Sequence, residues 1–163
     1  MKILVLSDSH SSMVFMRKCI DTIKPDTVVH LGDYYEDGQN LAAEYPGLVF
    51  HQVPGNCDLF RCAVSAPFKL CYPVGGVKLY MVHGHQQGVK SGIGRLVAEA
   101  RASGAKAALY GHTHIPDCHQ EEDGLWVLNP GSSRGGTAGL IDTNDGEIIS
   151  CKIITEKDLE AMA

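Results

Sequence analysis

The sequence predicts an α/β fold in which a parallel sheet gives way to paired strands. Two observations carry that expectation. Between residues 2 and 53 short apolar runs alternate with helical patterns, the order that parallel strands need for their crossovers. From Phe68 onward the runs lie closer together and meet at hairpin-type turns, Gly75-Gly76 and Asn144-Asp145-Gly146.

In order, Lys2 to Ser7 reads as a buried strand, and Met13, Met16, Cys19, Ile20 and Ile23 form a helical stripe that Pro25 ends. Thr27 to Leu31 is the next strand, followed by a loop from Gly32 to Gly38, a short helix around Leu41 to Tyr45, and a third strand at Leu48 to Val53. Phe68 to Tyr72 and Val77 to Val82 pair across Gly75-Gly76. A helix carrying Ile93, Leu96, Val97 and Ala100 on one face stops at Gly104, and Lys106 to Tyr110 is a further buried strand. The tail is β-rich, with strands expected at Asp117 to Gln120, Leu125 to Leu128, Ala138 to Asp142 and Glu147 to Ile154.

The 163 residues suit one domain, 1–163, with a core large enough to need no disulfide or structural metal. No apolar run is long enough to span a bilayer, and Met1 to Leu6 leads straight into polar residues unlike an export signal, so a cytoplasmic protein is expected. The six cysteines are scattered without CxxC spacing and read as reduced thiols. A net charge of -5 argues against broad nucleic-acid or anionic-lipid binding. A phosphate-bearing substrate then has to be drawn in by local positive charge, which bound metal ions supply.

The polar residues sit where such ions would be held. Asp8 and His10 follow the first strand, Asp33 the second and Asn56 the third; His83 ends the fifth, and His112 and His114 follow the sixth. The carboxyl ends of strands are where sites form in open α/β sheets, so these loops are expected to converge. Oxygen and imidazole donors in this mixture suit Mn, Fe, Zn or Ni. With Asp33 bridging, seven donors suffice for two metals about 3.5–4 Å apart, the arrangement suited to in-line attack at phosphorus. Alone, Asp8 or Asp33 reads as a turn or cap residue; together with four imidazole or amide partners on neighbouring strand ends it reads as a ligand.

Asp8-Ser9-His10, Gly32-Asp33, Gly55-Asn56-Cys57-Asp58, His83-Gly84-His85 and Gly111-His112-Thr113-His114 resemble the five ordered motifs of the calcineurin-like metallophosphoesterases, and Asn129-Pro130-Gly131-Ser132 extends the match. The short length, Gly-Asn-Cys-Asp and His-Gly-His are most similar to the compact YfcE-like phosphodiesterases. The resemblance implies a four-layer sandwich, two mixed β-sheets flanked by α-helices. It also implies that Asp8, His10 and His114 hold one metal, that Asn56, His83 and His112 hold the other, and that Asp33 bridges them. The implied activity is hydrolysis of a small phosphoester, a diester before a monoester, by metal-activated water attacking in line, with two divalent ions as cofactor, Mn ahead of Fe, Ni or Zn. Homo-oligomerisation is left open. The alternative is a scaffold of the same fold, as in the retromer subunit, which departs from the pattern in the third motif whereas Asn56 and Asp58 are retained here.

Larger relatives carry a histidine after the Asn of the third motif as leaving-group acid; here Cys57 stands there. His85, two residues beyond His83, is the nearest candidate, beside Asp33 and Asn56, to orient substrate or protonate the departing oxygen. In an extended segment both imidazoles would lean to one side, while Gly84 between them allows other geometries, and a bond to a neighbouring loop or metal ligation is the alternative. Cys57 itself reads as a structural thiol, since metals offer a better nucleophile. Glu36 occupies the place of an iron-binding phenolate, which leaves Tyr34 and Tyr35 as pocket wall or packing. His30 and His51 read as satisfied strand histidines, and His119 as exposed. The turn after Asn129 reads as a chain reversal, Arg134 beyond it as a surface charge, and Glu121-Glu122-Asp123 as solvated surface.

Overall fold

The computed structural model describes residues 1–61 and 65–163. Cys62, one of the scattered thiols, lies outside them; the five other cysteines are free.

Ten strands form two mixed sheets. The first has the order β10-β9-β1-β2-β3, from β1 (Lys2–Leu6), β2 (Thr27–His30), β3 (Val49–Gln52), β9 (Thr137–Asn144) and β10 (Glu147–Thr155). The second has the order β4-β5-β6-β8-β7, from β4 (Lys69–Val74), β5 (Val77–Val82), β6 (Ala107–Leu109), β7 (Asp117–Gln120) and β8 (Trp126–Asn129). Strands β1, β2 and β3 run parallel, as do β5, β6 and β8, while β9, β10, β4 and β7 pair antiparallel.

Side-chain alternation in β1 explains the layers. Ile3 and Val5 pack with Val29 and Leu31 against Leu79, Met81, Leu109 and Leu128 of the other sheet. Leu4 and Leu6 face the opposite way, onto Met16 and Ile20 of α1 (Met13–Ile23) and Leu159 of α5 (Glu156–Met162). On the far side of the second sheet, Tyr80, Val82, Ala108 and Val127 receive Leu96, Val97 and Ala100 of α4 (Gly94–Ala102). Both faces of each central strand are therefore covered, which is why those strands read as continuous apolar runs. The result is the four-layer sandwich.

The sheets are also tied at both open sides. His51 Nδ1 of β3 lies 2.6 Å from the Tyr72 hydroxyl of β4, and the Cys118 thiol of β7 lies 3.1 Å from Cys151 Sγ of β10.

Three elements differ from expectation. Helix α2 spans Tyr35–Glu44, so it begins inside the stretch expected to be loop through Gly38. Tertiary contact overrides the poor propensity of that segment: Gln52 lies against Gly38 and donates its amide N–H to the Tyr35 carbonyl at 3.0 Å. A four-residue helix α3 (Asp58–Arg61) follows the third motif. Helix α5 buries only Leu159 and so has no apolar stripe to read; its start is a capping box of Thr155 and Asp158. No helix among the described residues is long and apolar enough to cross a membrane.

Candidate metal centre

The loops after β1, β2, β3, β5 and β6 meet at one crevice. Ligand-type atoms of Asp8, His10, Asp33 and His114 lie within 4.8 Å of one another, and so do those of Asp33, His83 and His112. Asp33 belongs to both groups. Asp8, Asp33 and His83 form a buried floor; His10, Asn56 and His112 are half-buried, and His114 stands exposed at the rim.

Backbone strain is concentrated here. Asp8 (φ 52°), His10 (45°), Asp33 (56°), His112 (70°) and His114 (61°) all occupy the left-handed region, where a side-chain-bearing residue costs about 1–2 kcal/mol. That cost is tolerated because the chain leaving each strand must turn back at once to point a side chain into the crevice. Glycines supply the clearance. A Cβ at Gly55 would run into Asp33 Oδ1, and one at Gly111 into Ser7 Oγ and Asp8 Oδ2.

Each loop is held by hydrogen bonds that leave particular atoms to spare. Asp8 Oδ2 accepts the Ser7 hydroxyl at 2.6 Å and the His112 N–H at 3.0 Å, whereas the buried Asp8 Oδ1 has no hydrogen-bond partner, although His114 Nε2 approaches it to 3.1 Å. Asn56 places its Nδ2 3.8 Å from Cys57 Sγ and leaves the buried Oδ1 without a partner, and His10 Nε2 is in the same condition. His83 Nδ1 donates to the Leu31 carbonyl at 2.8 Å, and its Nε2 lies 3.4 Å from Asp33 Oδ2 and 3.2 Å from His112 Nδ1.

Buried lone pairs without donors cost free energy unless a cation or a donor meets them. Carboxylate oxygens and imidazole nitrogens in two groups sharing one carboxylate are a donor set that fits two divalent ions. The electrostatics agree. Burial would raise the Asp33 carboxyl, but the His83 imidazole and the Cys57 N–H hold it well below the usual carboxylate range. Burial likewise disfavours a proton on His83, yet the Asp33 and Asp8 carboxylates raise its affinity above the ordinary histidine value. His112, half-buried and facing His83, is pushed down to about 4.

Several supporting residues carried no recognisable role in the sequence. Asp58 accepts the N–H groups of Asp33, Gly55 and Tyr35 at 3.0, 2.7 and 2.8 Å, tying the second loop to the third. Asn129 donates to the Gly111 carbonyl at 3.1 Å and to Thr113 Oγ1 at 2.9 Å, and its Oδ1 accepts the Gly131 N–H at 2.9 Å. The Asn-Pro-Gly-Ser turn is thus a chain reversal, as read, that also braces the Gly-His-Thr-His loop. Asp37 accepts the Ser9 hydroxyl and the Ser11 N–H, and His30 joins this network through Ser9 Oγ at 3.1 Å. A buried acceptor is what a loop rich in free N–H groups requires, and an Asp three residues beyond Gly55 was the available signal.

His85 is a partial correction. It lies in a single 3-10 turn (His85–Gln87) after Gly84 at φ 113°, not in an extended segment. Its ring still reaches the crevice, 5.5 Å from that of His83 and 6.2 Å from that of His112, and its buried Nδ1 has no hydrogen-bond partner. His85 belongs to neither group of clustered ligand atoms. Burial and the charge of His83 lower its proton affinity. The Cys57 thiol is pushed up to about 11 by burial and the Asp33 charge, so it is protonated near neutrality, as a structural thiol would be. Tyr34 packs its ring 4.8 Å from that of His10 as pocket wall. His119 is half-buried beside Asp117, 2.9 Å away, rather than simply exposed.

A family model described as the calcineurin-like phosphoesterase superfamily domain matches residues 1–146. The chain belongs to the calcineurin-like phosphoesterase superfamily. Among relatives, Phosphodiesterase MJ0936 of Methanocaldococcus jannaschii is 28% identical over 176 residues, covering 90% of this chain and 96% of the relative. Among solved structures, a predicted phosphoesterase from Streptococcus pneumoniae superimposes with TM-score 0.75 at 26% identity, covering 96% of this chain and 90% of that one. Vps29 from Entamoeba histolytica, solved in complex with Zn2+, superimposes with TM-score 0.74 at 22% identity over 95% of this chain and 99% of that one, which is a likeness of fold.

Proposed function

We propose that this superfamily member is a dimetal-dependent phosphodiesterase, with Asp8, His10 and His114 holding one divalent ion, Asn56, His83 and His112 the other, and Asp33 shared. The observation that carries the reading is the set of buried, hydrogen-bond-free ligand-type atoms in the crevice, Asp8 Oδ1, His10 Nε2 and Asn56 Oδ1. Bound there, two divalent ions, Mn before Fe, Ni or Zn, supply Lewis acidity toward the phosphoryl oxygens and a water acidic enough to attack in line.

The chain's own residues do the rest. Asp58 and Asn129 fix the loops that carry Asp33 and His112, so the geometry exists before substrate arrives. His85 faces the crevice without joining the ligand cluster and protonates the departing oxygen. The exposed rim at His114 leaves room for both ester arms, which favours a small diester, and the name of the M. jannaschii relative points the same way.

The test compares bis(p-nitrophenyl) phosphate with p-nitrophenyl phosphate, using protein purified without chelator, after EDTA, and after Mn2+ is restored. The diester is expected to turn over faster, with activity lost on chelation and regained with metal. Full activity in a verified metal-free sample would end the two-metal reading, and a faster monoester would end the diesterase one. The likeness to Vps29 gives a scaffold some support, since fold does not fix function. Failure to bind metal or to hydrolyse either ester would put the scaffold first.

A further inference from the structure

A groove runs away from the candidate centre on its His114 side. Its outer part is a cavity of about 520 Å³ lined by His10, His114, Ser132, Arg134 and Gly135. Arg134 and Gly135 also line the inner part, a cavity of about 280 Å³ that continues past Ser133 and Gly136 to Phe15 and Glu156. Arg134 is thus the side chain common to a cavity containing two candidate ligands and to the space beyond it.

Three features make Arg134 more than a surface charge. Arg17, Arg95 and Arg101 are each bound to a carboxylate at 2.7–2.9 Å, whereas Arg134 has no ion pair among the described residues. The carboxylate that could compete, Glu156, is already engaged with Lys18 at 2.8 Å. Next to Arg134, Ser133 is 1% exposed, and its buried hydroxyl has no hydrogen-bond partner although it lines the inner cavity. A guanidinium and an unpartnered hydroxyl lining one cavity are groups that a tetrahedral oxyanion can use. On the opposite flank Lys90 lines a comparable cavity, but its walls of Val89, Tyr110 and Ile115 are apolar, a poor setting for an anion.

We propose that Arg134, with the Ser133 hydroxyl, binds a second anionic group of the substrate, so that the preferred phosphodiesters carry another phosphate beyond the scissile one. This rests on the phosphodiesterase reading above and narrows its substrate class. The turn of Ser133–Gly135 is anchored by the Ser133 N–H on the Ser7 carbonyl at 2.9 Å and by the Ser132 hydroxyl on the Asp8 carbonyl at 2.7 Å. The backbone that carries Arg134 is therefore held in fixed relation to Asp8, so its guanidinium reaches toward the reacting phosphate from a fixed anchor.

The probes are the p-nitrophenyl ester of thymidine 5′-phosphate with and without a 3′-phosphate, which present the same scissile bond. For the Mn2+-loaded protein the ratio of kcat/KM, with over without, is expected to be roughly tenfold, carried mainly by KM, the gain from one charge-assisted contact in an open site. Arg134→Gln brings the ratio to about one, and Arg134→Lys retains part of it because the charge stays while the fork is lost. Ser133→Ala lowers it by a smaller factor. A wild-type ratio near one, or a ratio unchanged in Arg134→Gln, overturns the proposal while leaving the phosphodiesterase reading intact. Absence of hydrolysis of both esters by the wild type overturns that reading and the proposal with it.

Discussion

Asp58 accepts the backbone N–H of Asp33 at 3.0 Å, so the residue proposed to bridge two metals is held by a carboxylate that is not itself in either ligand cluster. The same carboxylate takes the Gly55 and Tyr35 N–H groups and is fully buried. Asp58→Ala would leave three N–H donors unmatched in the interior. The expected outcome is a loss of about 2–4 kcal/mol in urea unfolding, with metal affinity falling alongside. Asp58→Asn, which keeps an acceptor oxygen, should lose less of both. Stability unchanged in Asp58→Ala would show that the two loops are held by other contacts.

Asn56 offers a cleaner separation of chemistry from folding. Its Oδ1 has no hydrogen-bond partner, and its Nδ2 contact to Cys57 is long at 3.8 Å, so little structure depends on the side chain. Asn56→Ala is expected to leave the unfolding midpoint within about 0.5 kcal/mol of wild type. Diester hydrolysis should fall by at least about two orders of magnitude as a ligand is lost. Retained activity with two metals bound would remove Asn56 from the ligand set.

The burial of His51, at the sheet-to-sheet contact with Tyr72, gives the fold a pH dependence independent of the metals. Burial lowers the proton affinity of His51, whose Nδ1 lies 2.6 Å from the Tyr72 hydroxyl. Because the folded-state pKa lies below the unfolded value, the unfolded chain takes up the proton first as pH falls. The contribution is present above about pH 6.5 and is lost below it. In urea unfolding at pH 7.5 and 5.5, wild type should lose on the order of 0.5–1 kcal/mol more than His51→Gln. Equal losses in the two proteins would mean that the burial of His51 contributes nothing to the pH dependence.

How much of this was legible follows from where each residue gets its signal. The seven crevice residues could be read because each follows a strand whose apolar run is unmistakable, and the register of β1 with β2 and β3 then brings Asp8, Asp33 and Asn56 to one end. The layering of two sheets could not be read from β1, since Ile3 and Leu4 are equally apolar and equally buried yet face different layers; the resemblance supplied it. The N-terminal half of α2 was hidden because its helix rests on Gln52, a contact with no local trace. Asp58 and Asn129 were present in motifs but indistinguishable from cap and turn residues, for their roles lie in bonds to N–H and C=O groups 25 and 18 positions away.

The leaving group needs a proton, and the position that larger relatives give to histidine holds Cys57, whose thiol is pushed up to about 11. A thiol that reluctant to ionise is a weak acid for the task, and with Asn56 Nδ2 and the Asp33 charge beside it the site gives it no route to act as one. His85 is better placed. Its ring stands edge-on to Phe68 at 5.5 Å, and it is close to His83 and His112 without belonging to a ligand group. If it protonates the departing oxygen, its loss matters in proportion to how badly that oxygen needs a proton. His85→Gln should therefore slow an alkyl-leaving diester by about 10²–10⁴-fold while slowing a p-nitrophenyl-leaving diester far less, with both metals retained. Equal losses for the two substrates, or a metal missing from the variant, would assign His85 to substrate orientation or to ligation and leave the proton to solvent.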